Sequence, residues 1–218
     1  MSAANEDETR AAIVKAMLDL ERLGLTQGTA GNVSVRHGEG CLITPSGIPA
    51  DELRAEEIVR LRHDGTHEGT CRPSSEWRFH RDIYLARPEV GAVVHAHPTY
   101  ATAFAICGRD IPAVHYMIAA AGGPTVRCAS YATFGTEELS RAALVALEGR
   151  TCCLLAHHGT IATGPTLKKA MWVAVELETL CRQYAIALQV GAPGILPDDE
   201  ISRVMERFGS YGPRPPAA

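Results

Sequence analysis

The stretch Gly91-Ala92-Val93-Val94-His95-Ala96-His97 is a short apolar run that ends in two histidines. The run predicts a buried β-strand over residues 91–95, because β-branched residues favour that conformation. Successive side chains of a strand point to opposite faces of a sheet, so His95 and His97 are expected to share one face. Two imidazoles placed in this way can bind one metal ion.

A third metal ligand is expected elsewhere in the chain. Catalytic zinc sites usually take three protein ligands and leave a position open for water or substrate. The adjacent pair His157-His158 follows a second apolar run at residues 152–156, where a buried strand would end. Only one of the pair is expected to face the metal, and periodicity leaves open which one. Hydrogen-bonded structural histidines are the alternative interpretation, but the second cluster favours a metal site.

Glu76 lies in the segment Pro73-Ser74-Ser75-Glu76-Trp77-Arg78-Phe79-His80, at the predicted start of a helix. A carboxylate at a helix start commonly serves only as a capping partner. If Glu76 also lies beside the metal, it could act as a ligand or as a general base.

Two loops rich in glycine and hydroxyl groups occur at Gly28-Thr29-Ala30-Gly31-Asn32 and Thr44-Pro45-Ser46-Gly47. Such loops offer backbone amides and side-chain donors to a phosphate group, although each is also typical of an ordinary turn. Neither loop contains the Gly-Lys-Ser/Thr signature of a P-loop.

Lysine usage argues against covalent catalysis through a Schiff base. The chain contains only Lys15, Lys168 and Lys169, and none lies in an apolar strand where desolvation would lower its pKa for Schiff-base formation. A carbanion formed during catalysis would therefore require stabilisation by a metal.

Outside residues 91–97, predicted strands and helices alternate without a strict βαβ repeat. This order indicates an α/β sandwich in which helices cover a mixed or antiparallel sheet. The predicted helices cover residues 8–23, 74–86, 136–147, 166–190 and 198–208, and the other predicted strands cover residues 32–36, 41–44, 58–61 and 152–155.

The 218 residues are predicted to form one domain over residues 1–218, with a flexible tail at about 209–218. A net charge of -4 without clustered Lys and Arg argues against nucleic-acid binding. The sequence has no long apolar run typical of a membrane span, and its acidic start predicts a cytoplasmic protein. Seven cysteines without a C-x-x-C pair predict reduced thiols.

Together these segments resemble the class II aldolase/adducin family, and most closely its L-fuculose-1-phosphate aldolase branch. The resemblance implies a single-domain three-layer α/β/α sandwich with a central mixed, largely antiparallel sheet. It also implies a zinc-dependent lyase that cleaves a ketose 1-phosphate, such as L-fuculose 1-phosphate, to dihydroxyacetone phosphate and a short aldehyde. The matching segments are residues 27–36, 42–49, 73–80, 93–97, 111–123, 131–136 and 154–159.

The resemblance assigns roles residue by residue. It implies one Zn²⁺ per subunit, bound by His95, His97 and His158, with Glu76 as a displaceable fourth ligand and the catalytic acid/base. It further implies that Tyr116 and a C-terminal tyrosine, Tyr211, act at the aldehyde side, and that the protein is a homotetramer with sites between subunits. The implied phosphate pocket consists of Thr29, Asn32, Ser46, Gly47, Ser74 and Ser75.

Other functions share these parts. The nearest alternative is an aldolase for 5-deoxyribulose 1-phosphate or 5-methylthioribulose 1-phosphate, which would differ in its aldehyde pocket. Pentulose-phosphate 4-epimerases also keep the histidines, and adducin-like members of the family keep the fold without metal chemistry.

Overall fold

A computed structural model of the chain describes residues 3–208, with side chains from residue 6 onward. The helices are α1 (Ala3–Arg22), α2 (Trp77–Ala86), α3 (Thr99–Ile106), α4 (Glu137–Ala146), α5 (Leu167–Val190) and α6 (Asp198–Phe208). The strands are β1 (Asn32–Arg36), β2 (Gly40–Ile43), β3 (Val59–Arg62), β4 (His67–Glu68), β5 (Ala92–Ala96), β6 (Cys128–Ala129), β7 (Cys152–Leu155) and β8 (Gly159–Gly164).

The eight strands form one sheet in the order β4-β3-β2-β1-β5-β8-β7-β6. Every neighbouring pair is antiparallel except the edge pair β6 and β7, which is parallel. The predicted mixed, largely antiparallel sheet is therefore confirmed.

Apolar cores on both faces of the sheet make the fold a three-layer sandwich. On one face, α1, α3, α5 and α6 pack over the strands, and on the other face α2 and α4 do so. The alternation along β5 shows the division clearly, because Val94 belongs to the first core and Val93 to the second. Side chains in register with Val93, including His95, therefore face α2.

Several elements differ from the sequence prediction. The predicted serine cap of α2 is wrong, because Glu76 occupies the N-cap position and the Ser74 hydroxyl accepts only from the Glu76 amide. The short edge strands β4 and β6, the helix α3 and the strand β8 were not predicted. The two glycines that bound β8 suggest turns, but β8 lies between β5 and β7 and is buried throughout.

Helix α3 depends on a contact from a distant element. It follows Pro98 without a side-chain cap of its own. The Glu178 carboxylate on α5 accepts hydrogen bonds from the amides of Tyr100 and Ala101, at 2.9 and 2.8 Å. A carboxylate at this position satisfies amides that a helix start leaves unpaired. Local sequence could not indicate this helix.

All seven cysteines carry free thiols, as predicted, and Cys41, Cys152, Cys153 and Cys181 are buried. No helix within residues 3–208 combines the length and the apolar character that a membrane span requires.

Candidate metal centre

Four side chains from three separate segments meet at one end of the sheet. His95, His97, His158 and Glu76 each offer a ligand atom, and these atoms all lie within 4.8 Å of one another. Glu76 and His95 are buried, whereas His97 and His158 are partly exposed. The arrangement thus has an interior side and a side open to a ligand.

The sheet topology explains how the three segments converge. His95 lies on β5 and His97 directly follows it, so both point toward α2. Glu76 lies at the start of α2 on that same face. Strand β8 is the antiparallel neighbour of β5, and its first residue follows His158. The turn between β7 and β8 therefore delivers the third imidazole beside the other two.

The same turn resolves which histidine of the adjacent pair faces the site. His157 adopts a left-handed backbone conformation with φ of 55°, which is uncommon for a residue other than glycine. Its exposed ring is not among the grouped ligand side chains and instead lies perpendicular to the Tyr131 ring, at 5.9 Å between ring centroids. His158 instead lies 4.8 Å from His95 and 5.1 Å from His97, measured between ring centroids.

One hydrogen bond fixes the tautomer of His95. Its Nδ1 lies 2.8 Å from the carbonyl oxygen of Thr160, which can only accept. Nδ1 therefore carries the proton. The lone pair of Nε2 is left free for a metal ion and faces the ligand atoms of Glu76, His97 and His158. Metal-binding histidines are commonly held by such a second hydrogen bond.

The spacing of the donor atoms fits a metal centre better than a hydrogen-bonded cluster. The Nε2 atoms of His95 and His97 are 2.9 Å apart, and the Glu76 oxygens lie 3.0 Å from His95 Nε2 and 3.1 Å from His158 Nε2. Glu76 Oε1 is nevertheless buried without a hydrogen bond of acceptable geometry. Metal bonds of roughly 2.0–2.1 Å in a tetrahedral site separate neighbouring donors by roughly 3.3 Å, close to these values.

The ionisation of the group also suits a cation. Burial raises the pKa of the Glu76 carboxyl, but the neighbouring His95 and His158 outweigh burial, and the pKa lies well below its ordinary value. Burial, together with the other two imidazoles, lowers the pKa of His97 to about 4. An ionised carboxylate and a neutral imidazole are the forms that bind a metal.

Gly159 permits the close approach of β8 to His97. A Cβ atom at this position would lie 2.5 Å from His97 Cδ2 and 2.5 Å from the Ala96 carbonyl oxygen. We expect Gly159→Ala to displace the His97 ring and to weaken divalent-metal affinity by roughly 10–100-fold, the range known for residues that orient metal ligands. Competition with a chromophoric chelator measures this loss. Gly194→Ala is a control, since nothing lies within 4 Å of a Cβ there and its backbone is outside the left-handed region; unchanged affinity in Gly159→Ala would contradict the prediction.

A cavity of about 330 Å³ opens beside the metal group. Besides Glu76, His97 and His158, it is lined by Ser75, Tyr131, Ala132, Phe134 and His157. The aromatic rings of Tyr131 and Phe134 are both 63% exposed, although each is large and apolar. Sequence reasoning assigned no role to these two aromatics, and it considered His157 only as the alternative to His158 at the metal.

The residues predicted to bind phosphate fall into two groups. Ser46, Gly47, Ser74 and Ser75 lie in two loops that are joined by hydrogen bonds from the Ser46 amide to the Arg72 carbonyl and from the Ser74 amide to the Thr44 carbonyl. Ser46, Gly47 and Ser75 are exposed, whereas Ser74 is buried.

Thr29 and Asn32 precede and begin β1. Thr29 is exposed, but Asn32 is buried, and its amide group donates from Nδ2 to Glu76 Oε2 at 3.0 Å. One N–H of this amide is therefore committed to Glu76, which leaves only the second for a phosphate.

The two predicted tyrosines are not both described. Tyr116 begins a 3₁₀ helix over Tyr116–Ala121, is 49% exposed and packs against His115. It is not among the residues that line the 330 Å³ cavity. Tyr211 and the predicted tail at 209–218 lie outside the described residues.

His80 is a buried polar residue that sequence reasoning also missed. It is fully buried against the Phe79 ring, and its two ring nitrogens contact Ser34 and Asn32. The signal was its position four residues after Glu76, which places both on one helical face. Burial and the nearby His95 lower the pKa of His80 to about 3, against an opposing effect of Glu76.

This lowered pKa predicts that the folded protein becomes less stable as the pH falls. Unfolded histidine titrates near 6.5, so below that pH the unfolded chain binds a proton that folded His80 does not. The stabilising contribution is therefore complete above about pH 6.5 and is lost as pH falls toward 3. We expect the free energy of unfolding of His80→Phe to depend less on pH, by up to ~1.4 kcal/mol per pH unit. Urea denaturation between pH 7 and 4.5 tests this, and equal slopes would disprove it.

The chain is thus an α/β sandwich in which one carboxylate and three imidazoles form a group that could hold a metal ion. Residues 11–185 match the family described as the class II aldolase and adducin N-terminal domain. The chain belongs to the class II aldolase and adducin family.

Relatives narrow this assignment. The chain is 55% identical over 213 residues to a 5-methylthioribulose-1-phosphate/5-deoxyribulose-1-phosphate aldolase of Rhodospirillum rubrum, covering 95% of this chain and 96% of the relative. It is 51% identical over 203 residues to an L-fuculose phosphate aldolase of Escherichia coli strain K12, covering 93% and 94%. A solved L-fuculose 1-phosphate aldolase superposes with a TM-score of 0.91 at 40% identity, covering 96% of this chain and 98% of that one. The protein is a class II aldolase, a metal-dependent lyase.

Proposed function

We propose that this protein is a zinc-dependent aldolase that reversibly cleaves a ketose 1-phosphate, such as L-fuculose 1-phosphate, to dihydroxyacetone phosphate and a short aldehyde. The observation that carries the proposal is the convergence of Glu76, His95, His97 and His158 within 4.8 Å. Three imidazoles and one carboxylate suit zinc in both ligand type and number. We propose one Zn²⁺ per subunit, because residues 6–208 contain one group of side chains that could hold a metal ion.

When bound, the ion supplies Lewis acidity that polarises the ketose carbonyl and offsets the negative charge left when the C3–C4 bond breaks. The side chains then have two tasks, because cleavage removes a proton from the C4 hydroxyl and delivers one to C3. We assign the delivery at C3 to Glu76, whose ionised carboxylate lies among the imidazoles and first takes up the proton released by the C4 hydroxyl. We assign to Tyr116 and Tyr211 the task of orienting the part of the substrate that leaves as the aldehyde.

Neutral donors are proposed to hold the phosphate. Ser46, Gly47, Ser74 and Ser75 lie in the two loops that are hydrogen-bonded to each other, and Ser75 also lines the cavity beside Glu76. Thr29 and the second amide N–H of Asn32 complete the proposed pocket. Hydroxyl and amide groups of this kind bind a phosphate without a lysine.

We further propose a single-domain subunit that assembles as a homotetramer with sites between subunits, working in the cytoplasm. A site between subunits would bring Tyr116, which lies outside the cavity lining within its own chain, and the tail residue Tyr211 to a metal group. Exposed apolar side chains such as Val145 and Val190, at 70% and 84%, are compatible with such contacts.

A second substrate candidate has specific support. The relative at 55% identity acts on 5-methylthioribulose 1-phosphate and 5-deoxyribulose 1-phosphate. Both sugars end in an apolar group, and the exposed rings of Tyr131 and Phe134 beside Ala132 would bury such a group. The aldehyde product alone distinguishes this candidate from L-fuculose 1-phosphate.

Product analysis tests both the reaction and its substrate. The purified zinc-loaded protein is incubated with each of the three ketose 1-phosphates, and products are identified by mass spectrometry. We expect dihydroxyacetone phosphate in every productive reaction, with kcat/KM highest for the substrate whose aldehyde fits the aromatic cavity. A ketose phosphate of unchanged mass and altered stereochemistry would instead indicate an epimerase. No cleavage of any of the three sugars would disprove the proposal.

A further inference from the structure

A continuous chain of buried hydrogen bonds runs from Glu76 into the interior of the protein. Asn32 Nδ2 donates to Glu76 Oε2 at 3.0 Å, and Asn32 Oδ1 contacts His80 Nε2. His80 Nδ1 lies 2.7 Å from Ser34 Oγ, which in turn lies 2.8 Å from the Tyr84 hydroxyl. The exposed fractions of these five residues range from 0% to 7%, so water does not compete for their contacts.

This series of hydrogen bonds joins side chains of the strand β1 and the helix α2. Asn32 and Ser34 are two residues apart on β1, so they share the face that lies under α2. Glu76, His80 and Tyr84 are four residues apart along α2, so they form one stripe facing β1. Hydrogen bonds therefore alternate between helix and strand. At the positions where β1 and α2 face each other, polar side chains therefore stand in place of apolar core residues.

The direction of each hydrogen bond follows from Glu76, which stands at one end of this series of contacts. An ionised carboxylate can only accept, so the Asn32 amide must place its nitrogen toward Glu76 and its oxygen toward His80. That oxygen requires a donor, so His80 Nε2 carries the proton of the neutral ring. His80 Nδ1 must then accept from the Ser34 hydroxyl, and Ser34 accepts from Tyr84. Every donor points toward Glu76.

We propose that His80 is a positioning residue that, through Asn32, holds the Glu76 carboxylate in the orientation required for metal binding and proton delivery, with Ser34, which donates to His80 Nδ1, fixing the tautomer of His80. This inference rests on the proposed role of Glu76. It assigns to the Asn32 side chain a structural task in addition to its proposed contact with phosphate.

The physical basis is the cost of leaving a buried polar group unpaired. Without a donor at His80, Asn32 Oδ1 would be buried and unsatisfied, and the amide would gain by rotating away from Glu76. The carboxylate would then lose its hydrogen bond from the Asn32 amide. A metal ligand without its supporting partner typically binds metal or functions less well by roughly 10–100-fold.

The tautomer can be tested without any substrate. The ¹⁵N chemical shifts of His80 in the full-length wild-type protein are expected to identify the Nε2–H form of a neutral ring. In Tyr84→Phe the Ser34 hydroxyl can still donate to His80, so the same tautomer is expected. A ring protonated at Nδ1 in the wild-type protein would overturn the proposed direction.

Metal affinity tests the positioning role, with Zn²⁺ alone as the probe. We expect His80→Phe, which keeps a ring against Phe79 but has no donor, to bind Zn²⁺ roughly 10–100-fold more weakly and to lower kcat more than it raises KM. His80→Gln retains an amide donor and should recover part of both losses. Ser140→Ala is the control, because it removes a different, partly buried hydrogen bond to α2, the 2.6 Å contact with Asp82. It should bind Zn²⁺ like the wild type.

A double-mutant cycle separates positioning from general destabilisation. If His80 acts through Glu76, then adding His80→Phe to Glu76→Gln should lower kcat little further, since coupled residues are not additive. A full additional loss, or wild-type zinc affinity and kcat in folded His80→Phe, would overturn the proposal. If His80→Phe does not fold, His80→Gln takes its place in the cycle. A protein that binds Zn²⁺ but cleaves no ketose phosphate would defeat the proposed function and leave the affinity and tautomer tests intact.

Discussion

Replacing Glu76 with glutamine is expected to lower kcat by roughly 10²–10⁴-fold, the contribution typical of a general acid/base. Glutamine keeps the shape of the side chain and can still accept from Asn32 through its amide oxygen, but it cannot exchange a proton. The protein should therefore retain Zn²⁺, with affinity reduced because a neutral oxygen is a weaker ligand than a carboxylate. Steady-state cleavage kinetics and metal analysis of the same preparation measure both quantities.

Asp82→Asn provides the matched control for Glu76→Gln. It makes the same chemical change on the same helix, at a carboxylate that contacts Arg81 and Ser140 and lies outside the cavity lining. We expect Asp82→Asn to change stability and not kcat. If Glu76→Gln retained zinc and cleaved substrate at a near-normal rate, Glu76 would not carry the proton.

Replacing His95 with alanine is expected to reduce metal retention more than replacing Glu76 with glutamine does. Structural zinc sites with four ligands bind with roughly 10–16 kcal/mol, so one ligand of four contributes roughly 2.5–4 kcal/mol, or about 10²–10³-fold in affinity. His95 is fully buried and is held by Thr160, so among residues 6–208 another side chain could replace it only after rearrangement of the core. Turnover should fall with the bound zinc.

His67→Ala serves as the control for His95→Ala, because His67 lies exposed on the edge strand β4. Chelator competition at matched pH should give wild-type affinity for His67→Ala. His95→Ala protein that keeps stoichiometric zinc at wild-type affinity would show that the metal does not use this imidazole.

Local patterns in the sequence predicted much of the fold. The strand β1 and the helix α6 have the predicted bounds, because alternating and helical periodicities are visible within a few residues. The strand that carries His95 was also recognised, although it begins one residue later than predicted. Elements that depend on distant partners were missed. Strand β8 exists because β5 and β7 flank it, and α3 is held by Glu178 on another helix.

The candidate site divides in the same way. The spacing of His95 and His97 on one strand was sufficient to predict that they share a face, because a strand repeats every two residues. Periodicity could not decide between His157 and His158. The decision depends on the left-handed backbone of His157, which turns one ring outward and leaves the other facing the site.

By itself, the sequence determined the family, the α/β class and the chemical types available for a metal site, since these depend on residue identity and short-range spacing. The family resemblance implied that Glu76, His95 and His158 bind one ion, but the residues themselves did not show it, and only the tertiary structure placed them together and joined Glu76 to His80 by buried hydrogen bonds. The physical reason is that residues 76, 95 and 158 are far apart along the chain. Their distances are fixed by strand order and by the packing of α2 on β1, and local conformational preference does not specify either.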